Sequence, residues 1–201
     1  MVWIFRWLSG GLQVAVVVAF AAAGCGADVA ATSGASNAMP PGDSNGDAGT
    51  NGDAATTPSS DPFATAPTCT TGTMWTKGNH GSHEMNPGRA CIACHSTMNG
   101  PDLTVGGTVY PTAHEPDLCY GADGSNDVRV VITGADGQTV TLTPVRSGNF
   151  SLTTQVMMPF TAKVTYQGRE RAMTAPQTSG DCNGCHTQTG ANGAPGRITL
   201  P

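Results

Sequence analysis

The sequence predicts a mainly β protein: a small antiparallel β-sandwich flanked by two irregular, cysteine-bearing segments and preceded by a disordered linker. Three observations predict it. Between residues 103 and 171, short alternating runs rich in β-branched side chains recur between turn signals. Residues 26–66 contain no Lys, Arg, His, Trp, Tyr or Cys, and only Val29, Met39 and Phe63 as sizeable apolar side chains. Such a segment cannot bury enough surface to offset its chain entropy. Finally, 27 Gly and 14 Pro against 5% aromatics in 201 residues leave too little core for the whole length to fold.

Taken in order, residues 1–24 form an export signal. A single basic residue, Arg6, precedes an unbroken apolar run from Val14 to Ala23, too short to span a bilayer as a stable helix. Residues 25–66 follow as a weakly acidic stalk. The stretch from Asp43 invites comparison with a calcium loop, but Ala48 and Ala54 stand where that loop needs Gly and the bidentate Glu. Residues 67–103 form the first cysteine-bearing segment, 104–170 the sandwich and 171–201 the second such segment. Within the sandwich, Val105–Tyr110, Val128–Thr133, Thr139–Thr143, Asn149–Thr153 and Thr161–Gln167 read as strands, with Val128, Val130 and Ile132 on one face. Asp136-Gly137 and Ser147-Gly148-Asn149 supply turns, and Arg197 to Leu200 returns as one more strand.

The net charge of −5 excludes a nucleic-acid binder with a basic face and a polybasic membrane patch. From Pro67 onward eight basic residues balance nine acidic ones, so most of the acidity belongs to the linker.

Seven cysteines cannot all belong to one disulfide framework. Cys91-Ile-Ala-Cys94-His95 and Cys182-Asn-Gly-Cys185-His186 are two copies of C-x-x-C-H, the attachment signature of c-type haem. The spacing has a mechanical reason, because two thiols three positions apart bracket one edge of a porphyrin and the next imidazole swings beneath it. Cys91, Cys94, Cys182 and Cys185 are the expected thioether positions, with His95 and His186 the proximal iron ligands. The expected cofactors are two covalently attached c-type haems. A zinc site built from both C-x-x-C pairs uses the same thiolates but leaves both histidines unexplained. Distal ligand candidates are His83, Met85, His114 and Met173, with His80 beside them; a methionine would raise the potential relative to a second histidine. The remaining pair, Cys69 and Cys119, is most simply a disulfide in an oxidising compartment, two separate thiols being the alternative.

The small residues Ala22, Ala23 and Gly24 before Cys25 resemble the lipobox of bacterial lipoproteins, which implies lipid on Cys25 and, with Gly26 following, the outer membrane. The alternative is an ordinary signal peptide with a free Cys25. The order Gly107-Thr-Val-Tyr110, Val128 to Thr133, Asp136-Gly137, Gly148 to Leu152 and Pro159 to Gly168 resembles carboxypeptidase regulatory-like modules of the transthyretin-like class. As a whole the chain resembles bacterial exported dihaem c-type cytochrome lipoproteins. That resemblance implies electron transfer in the periplasm or at the cell surface, with redox proteins or extracellular acceptors as partners, a membrane held through lipid, and no bond chemistry of the chain's own. Two other readings stay open at this stage: a haem-based peroxidase-like enzyme or gas sensor, and a non-haem surface lipoprotein whose cysteines bind zinc or form disulfides. The two haem segments flank the sandwich, so neighbouring first and last strands would bring them together.

Overall fold

The computed structural model describes residue 61 and residues 63–201. The residues expected to form the export signal, Cys25 and nearly all of those expected to form the linker lie outside the described residues. No helix of the described residues is long and apolar enough to cross a membrane.

The described chain is mainly β, with two sheets, two short α-helices and a 3-10 helix at Gly124–Asn126. Its elements are α1 (Cys91–Thr97), β1 (Val105–Tyr110), β2 (Arg129–Thr133), β3 (Thr139–Leu142), β4 (Asn149–Leu152), β5 (Thr161–Tyr166), β6 (Arg169–Ala172), α2 (Cys182–Cys185) and β7 (Ile198–Thr199). One sheet has the order β4-β1-β7 and the other β3-β2-β5-β6. All pairings are antiparallel except β1 with β7, which is parallel, with Val109 opposite Ile198 and Tyr110 opposite Thr199.

Each sheet turns one apolar face to the other. Val105 and Val109 from β1 and Phe150 and Leu152 from β4 meet Val130 and Ile132 from β2 and Phe160 and Val164 beside and within β5, all buried. At about 25 cal/mol per Å² of apolar area, each of these side chains contributes roughly 1.5–3 kcal/mol when fully buried. Alternation along β2 is strict: Val130 and Ile132 are buried while Arg129, Val131 and Thr133 are only partly covered. β1 differs, being buried along its full length, because both faces are covered.

Two elements depart from the expectations above. β6, Arg-Glu-Arg-Ala, has no apolar alternation, yet pairs with β5 through a tight turn whose central residues, Gln167 and Gly168, both have positive φ. The first motif is a helix of seven residues rather than an irregular loop. The sheets therefore continue past residue 170, and the second cysteine-bearing segment is threaded between β6 and β7.

Residues 63–90 wrap the sandwich without regular structure. Cys69 is disulfide-bonded to Cys119, at a sequence separation of 50. Nearby, Trp75 is buried and donates from Nε1 to the Gly78 carbonyl, while its backbone N–H reaches the Leu118 carbonyl. The fully buried Glu115 accepts from Thr70 N–H, Thr70 Oγ1 and Thr112 Oγ1. Closing a loop of this length restrains the unfolded chain by about 4 kcal/mol on the chain-entropy account. Replacing both Cys69 and Cys119 by Ser is expected to lower stability by about 2–5 kcal/mol, read as a lower urea midpoint.

Candidate functional site

The two C-x-x-C-H motifs, 91 positions apart in sequence, stand side by side at β1. The reason is visible along the edge of that strand. β7 pairs only with Val109 and Tyr110. Further back, the same edge is taken by the chain leading into α2: Gly106 N–H donates to the Gly180 carbonyl and Gly106 bridges Asp181 in parallel. A Cβ on Gly180 would run into the Thr104 carbonyl, so this approach requires glycine.

Asn183, inside the second motif, is the buried side chain that locks α2 in place. Its Oδ1 accepts the Thr108 N–H at 3.0 Å, and its Nδ2 donates to Thr108 Oγ1 at 3.0 Å and to the Arg89 carbonyl at 3.0 Å. The same Nδ2 lies 3.9 Å from Cys91 Sγ, in the first motif. Asp181 makes the second bridge, accepting the Ala93 N–H of α1 on Oδ2 at 2.9 Å. Among the described residues, its buried Oδ1 has no hydrogen-bond partner.

β1 meets the two motifs at consecutive glycines. A Cβ on Gly106 would lie 3.1 Å from Cys91 Cβ, and one on Gly107 would lie 3.0 Å from Cys182 Cβ and 2.7 Å from the Phe150 ring. Successive Cβ directions alternate across a strand, so Cys91 and Cys182 rest against opposite faces of β1. Cys91, Cys94 and Cys182 are free thiols, whereas Cys185 is disulfide-bonded. Burial pushes the Cys91 thiol up to about 12, with help from the Asp181 and Cys94 charges. Burial likewise raises Cys182 to about 12, reinforced by Cys91 and Asp181.

The two histidines are held alike. His95 Nδ1 lies 3.0 Å from the Pro101 carbonyl and His186 Nδ1 lies 2.9 Å from the Gly196 carbonyl. In each ring this contact suits the tautomer with a proton on Nδ1 and leaves Nε2 as the open acceptor. Burial lowers the pKa of His186 below its ordinary value, favouring the neutral imidazole that ligates metals.

A cavity of about 380 Å³ opens between the two sheets beside α2. Phe150, Phe160, Val130 and Val164 form its apolar lining, and Cys182, Cys185 and His186 stand on its wall. Met173, a candidate distal ligand, lines the same cavity. The other candidates lie apart from it. His80 and His83 are exposed on a turn-rich loop, and Met85 is half-buried where Asn149 Nδ2 donates to its carbonyl. His114 has both ring nitrogens on backbone carbonyls, Nδ1 3.0 Å from Gln188 O and Nε2 3.0 Å from Thr65 O, so ligation would require it to leave one of them. Among the described residues, no three His, Cys, Asp or Glu side chains converge as a bare-ion site.

Compared with protein families, curated proteins and solved structures, this chain matches none.

Three site residues carry no signal of their own in the sequence: Asn183 occupies a variable position of its motif, and Asp181 and Arg197, which lines the cavity and donates to the His186 carbonyl, stand outside both. Truncating Asn183 to Ala leaves the buried Thr108 N–H without its acceptor and is expected to cost about 2–4 kcal/mol, measured by urea denaturation. The raised thiols give a second expectation. In the chain without any attached group, the folded state holds protons on Cys91 and Cys182 up to about 12, whereas the unfolded chain releases them near 9.0. Their contribution to stability is therefore complete below pH 9 and declines as the pH rises toward 12. Denaturation titrations should show that decline, and replacing both residues by Ser should flatten it to what Tyr110, also raised by burial, leaves behind.

Proposed function

We propose that the chain is an electron carrier, an exported and lipid-tethered c-type cytochrome with two haems. The observation that carries the reading is the paired arrangement of the motifs. In both C-x-x-C-H sequences the histidine is oriented through Nδ1 by a backbone carbonyl and offers Nε2. Outer contacts of this kind fix the tautomer and orientation of a metal-binding imidazole. A haem brings four equatorial nitrogens of its own, so it asks the protein for axial ligands and not for a cluster of three or more. When bound, it supplies a one-electron iron centre.

In this reading Cys91 and Cys94 hold one porphyrin and Cys182 and Cys185 the other. His95 and His186 present Nε2 to the two irons. Phe150, Phe160 and Val164 exclude water from the cavity beside the second motif. Thioether formation there needs Cys185 as a thiol, so haem attachment and the disulfide at Cys185 are mutually exclusive. Asn183 and Asp181, which tie α2 to α1, set the separation of the two sites. The sandwich has the role of a rigid partition, resembling a transthyretin-like module in strand order. Lipid on Cys25 would hold the protein at the outer membrane, facing redox proteins of the periplasm or acceptors outside the cell.

The test is direct. Protein produced with haem-attachment machinery is expected to keep a haem stain after denaturing electrophoresis, with two haems per chain in the pyridine spectrum. Replacing both Cys91 and Cys94, or both Cys182 and Cys185, by Ala should reduce the count to one. A negative stain in the unmodified protein would sink the reading, and high-spin iron that shifts on adding carbon monoxide would move it to a sensor or peroxidase-like protein.

A further inference from the structure

We propose that a second cleft, at the end of β1 remote from the motifs, binds a sugar acid, with the ligand's carboxylate on Arg146 and its hydroxyls on Asp123, Asn126 and Tyr166. The cleft is separate from both motifs, and the proposal stands without the haem reading. β1 meets the motifs at Gly106 and Gly107, whereas Pro111, which follows its last residue, lines a cavity of about 330 Å³. Val128 before β2, Tyr166 closing β5 and Leu200 after β7 bring strand ends of both sheets to the same walls. A space of this size suits a small ligand.

One wall is ordered in advance. Thr71 Oγ1 donates to the Tyr120 carbonyl at 2.9 Å, the Tyr120 N–H donates to the Thr73 carbonyl at 2.9 Å, and the Cys69–Cys119 disulfide closes the same seam. The Tyr120 hydroxyl donates to Glu84 Oε2 at 3.0 Å, which holds the ring on which Arg146 rests, its guanidinium 6.0 Å from the ring centroid. A ligand entering this cleft finds its contacts already in place, so little ordering cost is added on binding.

The polar groups on the walls specify the ligand. Arg89, Arg129, Lys163 and Arg197 are paired with carboxylates, but among the described residues Arg146 has none. A guanidinium stacked by its face keeps its N–H edge for a carboxylate, which it can meet with two parallel bonds. Asp123 opposes a ligand that is anionic throughout: its Oδ1 accepts the Ser125 N–H at 2.8 Å, and its other oxygen is left to accept a hydroxyl. Among the described residues the Asn126 amide and the Tyr166 hydroxyl are also unengaged. With Asp123 they offer both donors and acceptors, as a hydroxyl group requires. Ala122, Val128 and the half-buried Tyr166 ring supply apolar surface for the C–H face of a sugar. One carboxylate, several hydroxyls and an apolar ring face together describe a sugar acid, such as the uronate unit of an acidic polysaccharide.

Calorimetric titration of the full-length protein with a galacturonate trisaccharide, its methyl-esterified form and benzoate tests this. The acid trisaccharide is expected to bind, and its ester about tenfold more weakly, because the ester lacks the charge that Arg146 meets. Benzoate, a carboxylate without hydroxyls, should also bind more weakly than the acid trisaccharide. Arg146→Gln is expected to bring the acid down to the level of the ester and leave the ester unchanged, while Arg146→Lys recovers part of the loss. Asn126→Ala should weaken acid and ester alike. Both side chains are exposed, so thermal midpoints should stay unchanged and separate lost binding from lost folding. No binding of the acid trisaccharide, equal affinity for acid and ester, or unchanged affinity in Arg146→Gln would overturn the proposal. Benzoate binding as tightly as the trisaccharide would overturn it too, because the hydroxyl contacts would then contribute nothing.

Discussion

The structure depends on one buried cation. The Arg197 side chain is completely excluded from solvent, and transferring a guanidinium from water is costly unless each donor finds an acceptor. Here every nitrogen of the group has one: Nε donates to the Glu115 carbonyl, Nη1 to the Gly88 and His186 carbonyls and Nη2 to the Asp117 carboxylate. The group also lies over the Tyr110 ring, 5.2 Å from its centroid. Asp117 is about half exposed, so the countercharge keeps its own hydration while neutralising a cation that has none. Four stretches distant in sequence converge on this side chain: the loop before the first motif, the segment after β1, the histidine of the second motif and the start of β7.

From that anchor the placement of the motifs follows. Arg197 immediately precedes β7, whose two residues alone could not define a strand, and the guanidinium holds them against β1 in parallel register. With the chain's last strand fixed beside its first, both flanks of the sandwich are drawn to the same edge. The Gly180–Asn183 stretch then fills the part of the β1 edge that β7 leaves uncovered, and α1 is tied to it through Asp181.

Much of this was legible in the sequence where side-chain period reports on burial. Val128, Val130 and Ile132 announce β2 because a half-buried strand must alternate, and the turn glycines announce where the chain reverses. β6 escaped because an edge strand held by backbone pairing needs no apolar pattern. α1 escaped because seven residues are too few to show a helical period. The two C-x-x-C-H motifs were legible because their chemistry fixes spacing, and Cys69 and Cys119 were what remained after the other cysteines were assigned. Asn183 and Arg197 were not, since most of the partners that define them lie 75 or more positions away. His114 is a candidate ligand by residue type, and its two carbonyl contacts are a tertiary fact that the sequence does not carry.

The adjacent glycines of β1 give the molecule a dividing wall one peptide thick. At Gly106 and Gly107 the strand contributes backbone and nothing else, and the first cysteine of each motif rests on it from either side. At this point strand backbone alone separates the two first cysteines, while Asp181 and Asn183 link the motifs around the edge of the strand. Even one methyl group at Gly106 or Gly107 would act as a shim, prising a motif off the wall against the hold of Asp181 and Asn183.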